Sequence, residues 1–89
     1  MMNNIDQKVI EEKLKEICRK ELGINPANIK SDSLLVEDLG IDSFGAIELV
    51  FALEEEFKID IPEGDLKDAK SVKDILGYLN SRLIQTSQT

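Results

Sequence analysis

Histidine and tryptophan are absent from this 89-residue chain, and cysteine occurs once, at Cys18. The missing histidine excludes His-based metal sites, Cys-His nucleophiles and the usual serine triad, and a single thiol excludes an intrachain disulfide. One cysteine suits a reducing cytoplasm. No apolar run approaches the roughly 20 residues of a membrane span. The opening Met1-Met2-Asn3-Asn4-Ile5-Asp6 lacks the basic and apolar regions of a signal peptide, so a soluble, unexported chain is expected. Internal repeats, low-complexity tracts and a Gly-rich phosphate loop are also missing. The length suits one domain over residues 1–89, able to bury about 60–65% of its unfolded surface.

Positive charge is missing from one stretch. Residues 37–57 hold no Lys or Arg but seven acids: Glu37, Asp38, Asp42, Glu48, Glu54, Glu55 and Glu56. Acids and bases balance on either side, so this stretch accounts for the whole net charge of −7. Such a field repels nucleic acid and anionic membrane and steers basic partners toward itself. Neither nucleic-acid binding nor membrane insertion is expected. A solvated acidic helix face would give the same count. The patch, however, surrounds Asp42-Ser43, which places a serine at the mouth of a helix.

Periodicity predicts a first helix from near Asn4 or Asp6 to Gly23, with Ile10, Leu14 and Ile17 centring an apolar stripe flanked by Val9 and Cys18. Cys18 therefore reads as a small core hydrophobe. Pro26 prevents continuation. The long connection over 24–40 is expected to be ordered, pinned by Ile29, Leu34, Leu35 and Leu39, with Ser31-Asp32-Ser33 turning Leu34 and Leu35 inward.

A second helix over Ser43 to Phe57 has two apolar faces. Ala46, Leu49, Val50, Leu53 and Phe57 form the core side. Phe44, Ile47 and Phe51 lie beside Ser43, bordered by Glu48, Glu54 and Glu55. A buried helix would also be apolar on two faces, but these glutamates oppose complete burial. A partly exposed apolar strip rimmed by charge marks a partner site.

Lys58-Ile59-Asp60-Ile61-Pro62 reads as extended, because Pro62 disfavours helix at Ile61. A short helix over 63–69 is expected to be the most mobile element, since Gly64 costs about 1 kcal/mol there relative to alanine. The last helix starts at Ser71, boxed with Asp74 three residues on. It carries Val72, Ile75, Leu76, Leu79 and Leu83 on one stripe, and residues 85–89 read as a frayed polar tail. The expected fold class is all-α: a small bundle of three main helices plus a short fourth, with a long ordered loop between the first two.

Taken alone, Asp42-Ser43 before an apolar helix is a capping signal. A hydrolytic serine needs a base, and neither a histidine nor a Ser-x-x-Lys arrangement near Ser43 supplies one. No catalytic residue and no intrinsic metal site are assigned. An EF-hand fails because neither acidic turn has ligands at loop positions one, three and five followed by glycine. The serine suits covalent modification by another enzyme, and the positive end of the helix favours a phosphate there.

Glu37-Asp38-Leu39-Gly40-Ile41-Asp42-Ser43-Phe44, then Glu48-Leu49-Val50, Ala52-Leu53-Glu54-Glu55-Glu56-Phe57 and Ile59-Asp60-Ile61-Pro62, resembles an acyl carrier protein over nearly the whole chain. The resemblance implies that Ser43 carries 4′-phosphopantetheine, transferred from coenzyme A by a carrier-protein synthase (a phosphopantetheinyl transferase) with magnesium. It implies that the arm's thiol holds acyl groups as thioesters, and that Asp42 supports attachment by helping to bind the synthase's magnesium ion. It also implies that acyl-transferring and condensing enzymes with basic patches dock on Phe44, Ile47 and Phe51 and on Glu48, Glu54, Glu55 and Glu56. A monomeric carrier in fatty-acid, lipid or polyketide-type synthesis is the expectation.

Three positions depart from the family's habit. Phe44 stands where leucine is commonest, Gly45 where fatty-acid carriers commonly have an acid, and Phe51 where methionine or a similar residue is usual. These changes are expected to alter the docking surface beside the arm, which favours a specialised carrier over the general fatty-acid one. Two alternatives stand beside it. A D-alanyl or peptidyl carrier is similar at Ser43-Phe44-Gly45 but not in the Glu-Asp-Leu-Gly lead-in, and an unmodified acidic helical adaptor would bind basic proteins through residues 37–57.

Overall fold

The computed structural model describes residues 7–62 and 64–88, with side chains as far as residue 83. Three α-helices form: α1 over Gln7–Leu22, α2 over Ser43–Phe57 and α3 over Val72–Gln88, with a 3-10 turn at Pro26–Asn28. The predicted start of α1 lies outside the described residues. Its end is as predicted, with Gly23 at φ 69° and its N–H donating to the Arg19 carbonyl at 3.2 Å. α2 has the predicted bounds. α3 continues to Gln88, through most of the residues whose composition suggests a tail. No described helix is long and apolar enough to cross a membrane.

The core is where the helical stripes meet. Ile10, Leu14, Ile17 and Cys18 of α1 pack with Leu49, Leu53 and Phe57 of α2 and with Val72, Ile75, Leu76, Leu79 and Leu83 of α3. Each such aliphatic side chain contributes about 1.5–3 kcal/mol by leaving water. Burial pushes the Cys18 thiol up to about 11, so at neutral pH it stays protonated and packs as a hydrophobe. Two expectations fail at the edges of these stripes. Val9 is 41% exposed, and Ala46 lies on the outer side of α2 while its neighbour Gly45 takes the inner position. A methyl group gains too little by burial to set the rotation of a helix that carries leucines and phenylalanine.

The long connection is ordered, but less by side chains than the sequence suggests. Ile29 is buried and Leu35 and Leu39 rest against the core, whereas Leu34 stays 39% exposed. Backbone pairing does the rest. Leu34 forms an antiparallel bridge with Ser71, and the Leu35 N–H donates to the Lys70 carbonyl at 2.9 Å. The first N–H groups of a helix lack intrahelical partners. Here Val72 donates to the Ser33 carbonyl (3.0 Å) and Lys73 to the Ser31 carbonyl (2.8 Å). The buried Ser33 hydroxyl accepts from the Lys30 N–H and donates to the Asn28 carbonyl, closing the turn from inside. As the sequence predicts, Asp74 completes a box, its carboxylate accepting from the N–H groups of Lys70 and Ser71.

Between α2 and α3 the chain departs from expectation twice. Lys58 is not extended but left-handed, at φ 56° and ψ 45°, ending α2 with its N–H on the Glu54 carbonyl. The expected short helix is a run of separate turns over 64–69, each closed by an i to i+3 bond: Asp65 to Pro62, Lys67 to Gly64 and Ala69 to Leu66. Gly64 at φ 112° is incompatible with helix, so the turns do not merge. Glu63 lies outside the described residues. The segment is tied to α3, because the Tyr78 hydroxyl donates to Asp65 at 2.6 Å while Arg82 donates to that hydroxyl.

Candidate functional site

The turn leading to the serine is built by one of its own carboxylates and by backbone bonds. Asp38 accepts from the Leu34 N–H at 2.8 Å, and the N–H groups of Asp38 and Leu39 both return to the Leu34 carbonyl, making one helix-like turn. Gly40 ends it at φ 71°, a conformation that a β-carbon disfavours although the space around it is open. The Ile41 N–H closes back on the Leu35 carbonyl at 2.9 Å, and the Ile41 side chain is buried. With the turn anchored there, Asp42 arrives with extended backbone and becomes the cap of α2.

Asp42 Oδ1 accepts the Gly45 N–H at 2.8 Å. Ser43 is therefore the first helical residue rather than the cap. Its side chain is exposed, and among the described residues nothing bonds its hydroxyl. Capping and presentation of the hydroxyl are thus divided between two adjacent residues. Unsatisfied N–H groups and the positive end of the α2 dipole also lie at this mouth, where an anionic group on Ser43 is favoured.

Beside it, Phe44, Ile47 and Phe51 are 70%, 54% and 64% exposed. At spacings of three and four residues they form one ridge about 10 Å long. Val36, on the preceding loop, is 64% exposed as well. The sequence picks out the ridge correctly but places its acids unevenly. Glu48 and Glu55 are exposed and unpaired among the described residues. Glu54 is half-buried, and its carboxylate accepts the Ile61 N–H at 2.8 Å, bracing the chain after α2. Glu56 turns to α1 and pairs with Lys13 at 2.7 Å, which holds its carboxyl below the usual range. Neither tie is visible on a helical wheel, since both partners lie outside α2.

Gly45 is also placed differently from the sequence reading. It is buried, not on the docking surface, and a β-carbon there would meet Asp42 Oδ1 at 3.3 Å, Ile41 Cγ2 at 3.4 Å and Leu22 Cδ2 at 3.5 Å. An added β-carbon would crowd the capping carboxylate of Asp42, whereas its approach to Leu22 would be an ordinary contact. Sequence reasoning missed Glu21, Leu22 and Ile24 as neighbours of the site; the unusual glycine was the available signal.

An exposed serine hydroxyl at a helix mouth suits covalent attachment, as a carrier domain requires. Comparison with known proteins agrees. A family profile described as "Phosphopantetheine attachment site" matches residues 12–79. The Acyl carrier protein of Bdellovibrio bacteriovorus is 40% identical over 73 residues, covering 82% of this chain and 94% of that protein. The chain belongs to the acyl carrier protein family, whose members are carriers with a covalent phosphopantetheine and not enzymes. A carrier of this kind works through other proteins, the synthase that loads it and the enzymes that use it.

Proposed function

We propose that Ser43 is the attachment point of the 4′-phosphopantetheine arm, and that the arm's thiol carries acyl intermediates between enzymes of fatty-acid, lipid or polyketide-type synthesis in the cytoplasm. The observation that carries this reading is the free, exposed Ser43 hydroxyl one residue after the residue that caps the helix. An attached phosphate would meet the N-terminal end of α2, where helix N–H groups stabilise negative charge. Asp42 accepts the Gly45 N–H on one carboxylate oxygen, and its other oxygen would help to hold the synthase's magnesium ion during attachment. Partner enzymes dock their basic patches over Phe44, Ile47 and Phe51, with Glu48 and Glu55 as the available acids. Glu54 and Glu56 contribute field more than contact, because each already has a partner within the chain.

The aromatic groups of Phe44 and Phe51 extend well beyond the helix surface. They call for wider apolar pockets than smaller side chains would, which supports a carrier dedicated to its own pathway. Equal elongation rates by purified general fatty-acid synthase enzymes on this chain and on their own carrier would overturn that specialisation. The attachment itself is tested by intact mass after incubation with coenzyme A, magnesium and a carrier-protein synthase. Wild type gains one phosphopantetheine and Ser43→Ala gains none. A gain that survives the substitution, or no gain at all, removes the central claim.

A further inference from the structure

Residues 64–69 form a strap between α2 and α3 whose two ends are pinned and whose middle is not. At one end Ile61 is buried, and Glu54 holds its N–H at 2.8 Å. At the other, Asp74 holds the N–H groups of Lys70 and Ser71, and the Lys70 carbonyl accepts from Leu35. In between, the N–H groups of Asp65, Lys67 and Ala69 each reach three residues back, and among the described residues no backbone bond joins the strap to a helix. Leu66 and Ala69 rest half-buried against the core, a small apolar area to hold the segment down. Among the described residues, the strap's one side-chain hydrogen bond is that of Asp65, which accepts from the Tyr78 hydroxyl at 2.6 Å.

Tyr78 is itself held in place. Arg82, one turn further along α3, donates to its hydroxyl and lies with Cζ 5.5 Å from the ring centroid, within cation–π reach. Burial first, and then the bond to Asp65, push the phenol above its ordinary range, so at neutral pH it keeps the proton it donates. The donor is thus fixed on a helix while the acceptor rides on the strap. We propose that Tyr78 and Asp65 form a latch, and that when it breaks residues 64–69 open as a unit while α1, α2 and α3 stay packed. Segments with few buried contacts and exposed backbone bonds open at a cost well below that of global unfolding. Opening lifts Leu66 and Ala69 away and uncovers the core side chains beneath them. Arg82 is a positioning residue for the latch, and the inference is independent of the role of Ser43.

The test is limited proteolysis of the full chain with dilute trypsin, followed by intact mass. Cleavage after Lys67, on the strap, is compared with cleavage after Lys30, exposed on the loop between α1 and α2. When opening and closing are fast, the rate after Lys67 tracks the open population. Tyr78→Phe, which removes only the hydroxyl, is expected to speed cleavage after Lys67 about fivefold and to leave cleavage after Lys30 unchanged. Asp65→Ala and Asp65→Asn lose the same charge beside the cleavage point, but asparagine keeps an acceptor for the hydroxyl. The alanine variant is therefore expected to be cut about threefold faster than the asparagine one. Equal rates after Lys67 for wild type and Tyr78→Phe, or for the two Asp65 variants, overturn the latch. Equal acceleration after Lys30, or cleavage after Lys67 that never precedes cleavage after Lys30, shows that the strap does not open alone and overturns the proposal as well.

Discussion

Lys58 offers the sharpest test of how this backbone is held. It ends α2 in the left-handed conformation, at φ 56° and ψ 45°, with its N–H and that of Ile59 both directed to the Glu54 carbonyl. A residue with a β-carbon gives up about 1–2 kcal/mol there relative to the right-handed region. Glycine removes that strain but loses about 0.5–1 kcal/mol through its greater freedom in the unfolded chain. Lys58→Gly should therefore stabilise the fold by about 0.5–1 kcal/mol. In a domain of this size that is a rise in Tm of about 2–8 °C. The substitution also removes a positive charge that attracts Glu56, so a control is needed. Lys58→Ala loses the same charge and keeps the strain, while Lys58→Asn falls between the two because asparagine tolerates this conformation. Thermal unfolding followed by far-UV circular dichroism should rank the variants glycine, asparagine, alanine. If the glycine and alanine proteins melt together, strain at Lys58 does not limit stability and the argument fails.

Four further outcomes follow from the same geometry. Because Asp42 and not Ser43 caps α2, Ser43→Ala should leave stability within about 0.5 kcal/mol of wild type in denaturant melts, even though it is expected to abolish loading. Glu54→Ala should cost about 1–3 kcal/mol in urea unfolding by leaving the Ile61 N–H without its acceptor, and Glu54→Gln should recover most of that. The N–H groups of Lys70 and Ser71 hold the Asp74 carboxyl below its ordinary 3.8, so its stabilisation is complete above that value and is lost as pH falls through the lowered one. Asp74→Asn should accordingly flatten the acid side of a Tm-against-pH curve, and an unchanged curve would show that the box contributes nothing. Finally, the acids of residues 37–57 repel one another, so added salt should raise Tm; a flat or falling response counts against the clustered field.

What could be read from the sequence was whatever repeats locally. The stripes of α1 and α3, the bounds of α2 and the Phe44-Ile47-Phe51 ridge all follow from spacing within one helix. Tertiary ties did not. Glu54 and Glu56 look equivalent to Glu55 on a wheel, yet one reaches Ile61 and the other Lys13. Lys58 carries no local signal for left-handed backbone; the two bonds to the Glu54 carbonyl and the burial of Ile61 beyond it hold that conformation. Gly45 was noticed as a departure, but only the packing of Leu22 against α2 shows which way it faces.

The pairing of the long loop with the start of α3 bears on when the serine first becomes usable. Ser31, Ser33 and Leu35, which hold the turn before Ser43, bond to Lys73, Val72 and Lys70, about forty residues later. During synthesis, these partners leave the ribosome well after Ser43 does. Until they arrive, the Ser31, Ser33 and Leu35 backbone groups face water, and the Leu34–Asp38 turn stands without the bridge to Ser71 that anchors it. Without residues 70–73 the Ser43 hydroxyl would sit after a turn that lacks these bonds. Formation of the turn before Ser43 is thereby coupled to docking of α3, so the two are expected to form and melt together.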